Sequence, residues 1–392
     1  FLPYAFIIFV NNFFFQNIFF EITSDAILLM ICSMIVYEIG FLFFYNYKKS
    51  ARKLYQNNYL IRKNRYVNYN LIEKFVILVL IYRVGTLLIV YFSGGFQAIS
   101  NDSFSSLDVG IIGGRLIICL YPAGWLLAYR LFSDLELKRK KKCQYVVLIL
   151  CVLAIQFLNT VKTHAMVFAL GIYLISIVFN KKNIIRGLLL LLLIVIFMFF
   201  ANYAIQWFSI DESVPTFAYT IQHFWKYIAG GTINLNGVIL DHNATYNFFD
   251  FWIQVISPIP NEFLSYIGKP IVASGEMPYI SNFPSVSPVL YELSNVVNLF
   301  GRFYGAGGWN IIGFVINTFL FGLITEKAYF DYKVMRSIRS FMLGLAILGY
   351  SFLSFFSLYY STSSFWQLLI YIYIFCSVFT CKFKIGKRGK LL

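Results

Sequence analysis

Stretches of about twenty predominantly apolar residues, the length that crosses the hydrocarbon core of a bilayer, recur along the whole chain. In hydrocarbon every backbone N–H and C=O must find its partner inside the segment, so such stretches are read as helices. They fall at 2–20, 24–46, 72–93, 111–133, 144–161, 164–180, 185–206, 308–325, 341–360 and 364–381, ten in all. The first is the most interrupted, by Asn11, Asn12, Gln16 and Asn17. Composition agrees: 59% of residues are hydrophobic and 12% charged, against about a quarter charged in soluble domains. The expected fold is all-α, a polytopic membrane protein with about ten transmembrane helices, in one integral membrane domain over 1–392. The chain opens on Phe1 rather than Met, so further residues are expected to precede it, and no cleavable signal peptide is read.

Basic residues set the expected orientation, because loops on the cytoplasmic side carry an excess of Lys and Arg. Segment 48–74 holds eight, 130–142 six, 181–186 three, 327–339 four and the tail from Lys382 five. These are alternate connections and fall on one side; together they hold 26 of the 32 basic residues. With Glu73, Asp134, Glu136, Glu326 and Asp331 that side carries +21, and the rest of the chain −6, within the total of +15. The high net charge thus reports topology and gives no ground for nucleic-acid binding, which needs a basic patch on a solvated domain.

Two segments stand out on the opposite side: 94–110, and the long stretch 207–309. The latter holds seven of the nine prolines, Pro215, Pro258, Pro260, Pro270, Pro278, Pro284 and Pro288, so it cannot be one helix. Its aromatic content, including Trp225, Tyr227, Phe251 and Trp252, argues against disorder. It is read as a large periplasmic loop with short amphipathic helices near 216–228 and 246–256, lying in the membrane interface. No internal repeat is seen, which weighs against an inverted-repeat transporter. Cys32, Cys119, Cys143, Cys151, Cys376 and Cys381 lie in spans or at the basic side, with no CxxC spacing, so neither a disulfide framework nor a metal site is expected.

Six basic residues lie off the basic side: Arg83, Arg115, Lys162, Lys226, Lys269 and Arg302. A charge at a helix centre costs about 2.5–3.5 kcal/mol on insertion scales, so it needs a partner or a function. Arg83 sits near mid-span and Glu38 at a similar depth in the preceding span; they read either as a packing pair or, for Arg83, as the lining of a polar cavity. Arg115, Lys162 and Arg302 read either as snorkelling side chains or as a clamp for an anionic group, for which the planar Arg fork is suited. All three histidines, His164, His223 and His242, fall on the outer side, where few other groups titrate near neutrality. With Asp241 and Glu292 they are the acid–base candidates, and none matches a zinc, P-loop or Ser-His-Asp spacing.

Three segments resemble the repeat-unit polymerases of bacterial O-antigens and capsules, the Wzy family. They are the turn and helix from Lys162-Thr163-His164 to Leu170; the aromatic-Gly-Gly segment from Trp225 to Leu235; and Asn295 to Tyr304, followed by Gly307-Gly308-Trp309 and Phe321-Gly322-Leu323. The usual Arg is absent from the first, and Ala306 stands where an Asp is common in the third.

The resemblance implies a metal-independent glycosyltransferase without cofactor. A growing glycan on undecaprenyl diphosphate passes to a new lipid-linked repeat unit at the periplasmic face of the inner membrane. The acceptor hydroxyl attacks the anomeric carbon and the lipid diphosphate leaves. Cations would stabilise the departing diphosphate, a role for Arg115, Lys162, His164, Lys226 and Arg302. A carboxylate or imidazole among His223, Asp241, His242 and Glu292 would take the proton. Expected partners are lipid-linked glycans, membrane lipids, a chain-length regulator and a flippase, and no nucleic acid. An O-antigen-ligase-like transferase, a lipid-linked sugar flippase or transporter, and a non-enzymatic assembly subunit remain as alternatives.

Overall fold

A computed structural model describes residues 2–57, 67–100, 110–158, 162–180, 184–207, 217–240, 248–264, 267–271, 298–306, 311–334 and 337–380. Every regular element among them is helical: α1 Leu2–Phe14, α2 Ser24–Asn57, α3 Tyr69–Ser100, α4 Gly110–Ser133, α5 Arg139–Leu158, α6 Lys162–Phe179, α7 Ile184–Trp207, α8 Phe217–Leu240, α9 Phe248–Ile256, α10 Pro258–Leu264, α11 Leu299–Ala306, α12 Ile311–Val334, α13 Ile338–Phe352 and α14 Ser363–Thr380, with 3-10 turns at Leu353–Phe355 and Tyr359–Ser361.

A helix stands at each of the ten expected spans, and five stretches are long and apolar enough to cross a membrane: Ser24–Tyr47, Tyr69–Phe92, Gly113–Ser133, Ile311–Val334 and Ile338–Phe355. The first expected span resolves differently. α1 has 13 residues, about 20 Å of helix, and the chain turns back after Phe14. The asparagines explain the turn. Asn12 Nδ2 donates to Ile22 O at 3.0 Å, and Ile22 N–H returns a bond to Asn12 Oδ1 at 2.9 Å.

The chain sorts into two compact units. One comprises Phe1–Arg52, Leu192–Tyr332 and Gly344–Gln367; the other comprises Lys53–Leu191, Lys333–Leu343 and Leu368–Leu392. In the second unit α3, α4, α5 and α6 pack side by side. Trp125 is its largest fully buried side chain; its indole N–H donates to Phe168 O at 3.0 Å and its ring stacks on that of Phe168. Gly171 presents a bare backbone to this indole, with no room for a Cβ. At the end of the bundle where the basic segments lie, Glu73 is 4% exposed. Lys141 Nζ donates to its Oε2 at 2.5 Å and Tyr145 Oη to its Oε1 at 2.6 Å. Arg130 completes the cluster, donating to Tyr145 Oη at 3.2 Å and covering the Tyr69 ring at 4.5 Å.

In the first unit the core gathers α1, the N-terminal half of α2, α8, α9, α11 and α12 around Tyr4, Ile7, Trp225, Ile233, Phe300 and Phe321. Much of the segment expected to lie as a loop in the interface is thereby built in. Both expected amphipathic helices exist, as α8 and α9, but α8 runs on to Leu240 and its residues 229–235 are all buried. Two glycines in mid-helix would ordinarily cost about 1 kcal/mol each relative to Ala. Gly231 offsets this by close approach: a Cβ there would collide with the carbonyl of Phe356.

Candidate functional site

The first unit brings together two of the three segments singled out above. Trp225, on α8, is 5% exposed. Its indole N–H donates to Asn11 Oδ1 at 3.1 Å, and its ring stacks on Phe15 at 5.1 Å. Asn11 in turn donates to Phe20 O at 3.0 Å, so the residues that break the first apolar stretch hold the loop helix. Nearly two turns further along α8, Gly231 O accepts the Asn298 N–H at 2.9 Å. Asn298 is fully buried and caps α11, its Oδ1 accepting the Gly301 N–H at 2.8 Å, as an N-cap side chain does. Phe303 of α11 then meets Phe321 of α12 edge-on at 6.0 Å. The aromatic-Gly-Gly segment, the Asn-to-Tyr segment and Phe321-Gly322 are thus neighbours in space although about ninety residues separate their ends.

Below them, α2 and α12 come into backbone contact. Gly40 lies against Phe319 O and Gly322 against Tyr37 O, with no room for a Cβ at either. Small residues are what allow membrane helices this approach. Beside the crossing lies a cavity of about 250 Å³, lined by Tyr4, Tyr37, Glu38, Phe41, Phe300, Phe321, Ser351 and Ser354. The Tyr4 ring leans on Phe300 at 5.4 Å and Tyr37 on Phe321 at 5.5 Å. Glu38 is the acidic group of this wall.

The expected site residues distribute as follows. Lys226 is on α8 and Arg302 on α11, helices that pack against each other in the first unit; both side chains are half-buried. His223 is also on α8, in the turn before Lys226. Arg115, near the start of α4, and Lys162 and His164, at the start of α6, belong to the second unit, where α4 and α6 pack together. The His164 ring meets that of Tyr121 edge-on at 5.9 Å. Asp241, His242 and Glu292 lie outside the described residues.

Glu38 and Arg83 belong to different units. Arg83, 2% exposed, is hydrogen-bonded to Thr86 Oγ1 at 3.4 Å. It is Glu38 that lines a polar cavity. The hydroxyl residues beside it, Tyr4, Ser351 and Ser354, went unnoticed in the sequence. The only signal was a carboxylate within an apolar run and two serines three residues apart in another. No family model, curated protein or solved structure matches the chain.

Proposed function

We propose that the chain polymerises lipid-linked oligosaccharide repeat units. It transfers a growing surface glycan from undecaprenyl diphosphate to a new lipid-linked unit at the outer face of a bacterial inner membrane. The observation that carries this reading is the convergence of the two polymerase-like segments in one core, with a cation on each of the two packed helices. Lys226 stands on α8 and Arg302 on α11, where a diphosphate leaving group needs positive charge that is already in place. Trp225 and Phe303 fix those helices, so the cations ride on rigid elements rather than on a free loop. The half-buried setting of both side chains raises the value of each charge over that in bulk water.

The test is reconstitution of the purified chain in detergent with lipid-linked repeat units as sole substrate. A ladder of longer glycans on lipid is expected with no other protein present. Lys226→Ala and Arg302→Ala should each leave single units accumulating, with a loss in rate of about a hundredfold or more, the scale seen on removing one preorganised donor. Unchanged single units with the wild-type chain, or transfer only onto a lipid A core, would replace the reading with a non-enzymatic or ligase role.

A further inference from the structure

The cavity beside the α2–α12 crossing has a composition that the glycan-transfer reading does not use. Glu38 lies 14 residues from Ser24 and 9 from Tyr47 in a membrane-length stretch. That is about 21 Å from one end and 14 Å from the other. A carboxylate at such depth marks an ion or proton path, or a partner charge. Among the described residues Glu38 forms no ion pair within 4.0 Å, and no Lys, Arg or amide side chain lines the cavity.

Two of the wall hydroxyls have their protons committed, one within the wall and one outside it. Tyr4 Oη donates to Ser354 Oγ at 3.3 Å. Ser351 Oγ donates to Ile347 O at 2.7 Å, so Tyr360 is the donor in their 2.6 Å contact. What Tyr4 and Ser351 have left to offer is oxygen lone pairs.

We propose that this cavity binds one partly hydrated alkali-metal cation, with Glu38 as its counter-charge and the wall hydroxyls as neutral oxygen ligands. All-oxygen coordination suits a hard cation, and a single carboxylate matches a single positive charge. The volume of about 250 Å³ admits the ion with several of its waters, since a water occupies about 30 Å³ in the liquid. The proposal stands on the cavity alone and does not depend on glycan transfer.

Thermal unfolding of the purified chain in detergent tests it, in NaCl, in KCl and in N-methyl-D-glucamine chloride at equal ionic strength. A saturable rise in Tm is expected with sodium or potassium over the organic cation. At a hundredfold excess over Kd it should reach roughly 5 °C or more. Glu38→Gln should abolish the rise, and Ser354→Ala should raise Kd about tenfold while leaving it visible. Binding of ²²Na⁺ to the wild-type chain, expected at one equivalent with competition by unlabelled NaCl or KCl, needs no variant to fold. Equal Tm in all three salts, no competed ²²Na⁺ binding, or a sodium-dependent rise that survives Glu38→Gln would each overturn the proposal.

Discussion

At the scale of single residues, the polar groups inside the apolar helices divide into those that hold the fold and those that do not. Asn11 holds it: its carboxamide is shared between Trp225 of α8 and the Phe20 carbonyl. Asn11→Leu would leave the Trp225 N–H buried without an acceptor, a loss of about 1–3 kcal/mol. A lowered Tm and faster proteolysis within 217–240 would register it. Asn317 is the opposite case. It is 1% exposed, and neither its Nδ2 nor its Oδ1 has a hydrogen-bond partner. Replacing such a group by an apolar one of similar volume removes its desolvation cost, so Asn317→Leu should raise Tm by several degrees. A drop instead would mean that the amide serves a ligand. Glu73 belongs with Asn11. Glu73→Gln weakens the carboxylate's bonds to the half-exposed Lys141 and to Tyr145 and should cost about 1–3 kcal/mol, read as a lowered Tm in detergent.

At the scale of elements, helix positions were legible and helix environments were not. The apolar period and length placed a helix at each of ten positions, because the backbone has no alternative in hydrocarbon, but not the ends: α2 runs on to Asn57 and α12 to Val334, past the expected 46 and 325. Whether a helix face meets lipid or protein leaves little mark on its sequence, since lipid tails are as apolar as a core of leucines. That is why α8 read as an interfacial helix while its residues 229–235 are buried in the first unit. The glycines carried the missing information. Gly231, Gly40 and Gly322 each stand where a Cβ would strike a backbone carbonyl, which periodicity cannot express. The residues lining the Glu38 cavity come from α1, α2, α11, α12 and the end of α13 with its following turn, so no local pattern could have gathered them. Gly322→Val tests the crossing. The added methyls must push Tyr37 and Phe41 away, lowering Tm and widening the cavity beside it. A variant with wild-type Tm would show that α2 and α12 do not approach as closely as described.

At the scale of the whole chain, the charge pattern predicts which ends of the helices share a side of the membrane, and the second unit supplies an internal check on it. Glu73 near the start of α3, Arg130 near the end of α4 and Lys141 and Tyr145 near the start of α5 meet in one cluster. Helices that run up, down and up again must bring those three ends together. At the other end of the same helices, Gln156 of α5 donates to Ile117 O of α4 at 3.1 Å, and Tyr121 of α4 meets His164 of α6. The basic residues 138–142 and the start of α6 therefore lie at opposite ends of one bundle. The excess of basic residues predicts that the first end faces the cytoplasm. The measurement is labelling of intact cells with a membrane-impermeant maleimide, in a chain whose six cysteines are replaced by alanine. Thr163→Cys should react from outside, and Lys140→Cys only after the membrane is opened. Reaction of both from outside would rule out a single orientation, and reaction of Lys140→Cys alone would reverse it. It would also remove the outer face from which an anionic lipid donor could reach Arg115, Lys162 and His164.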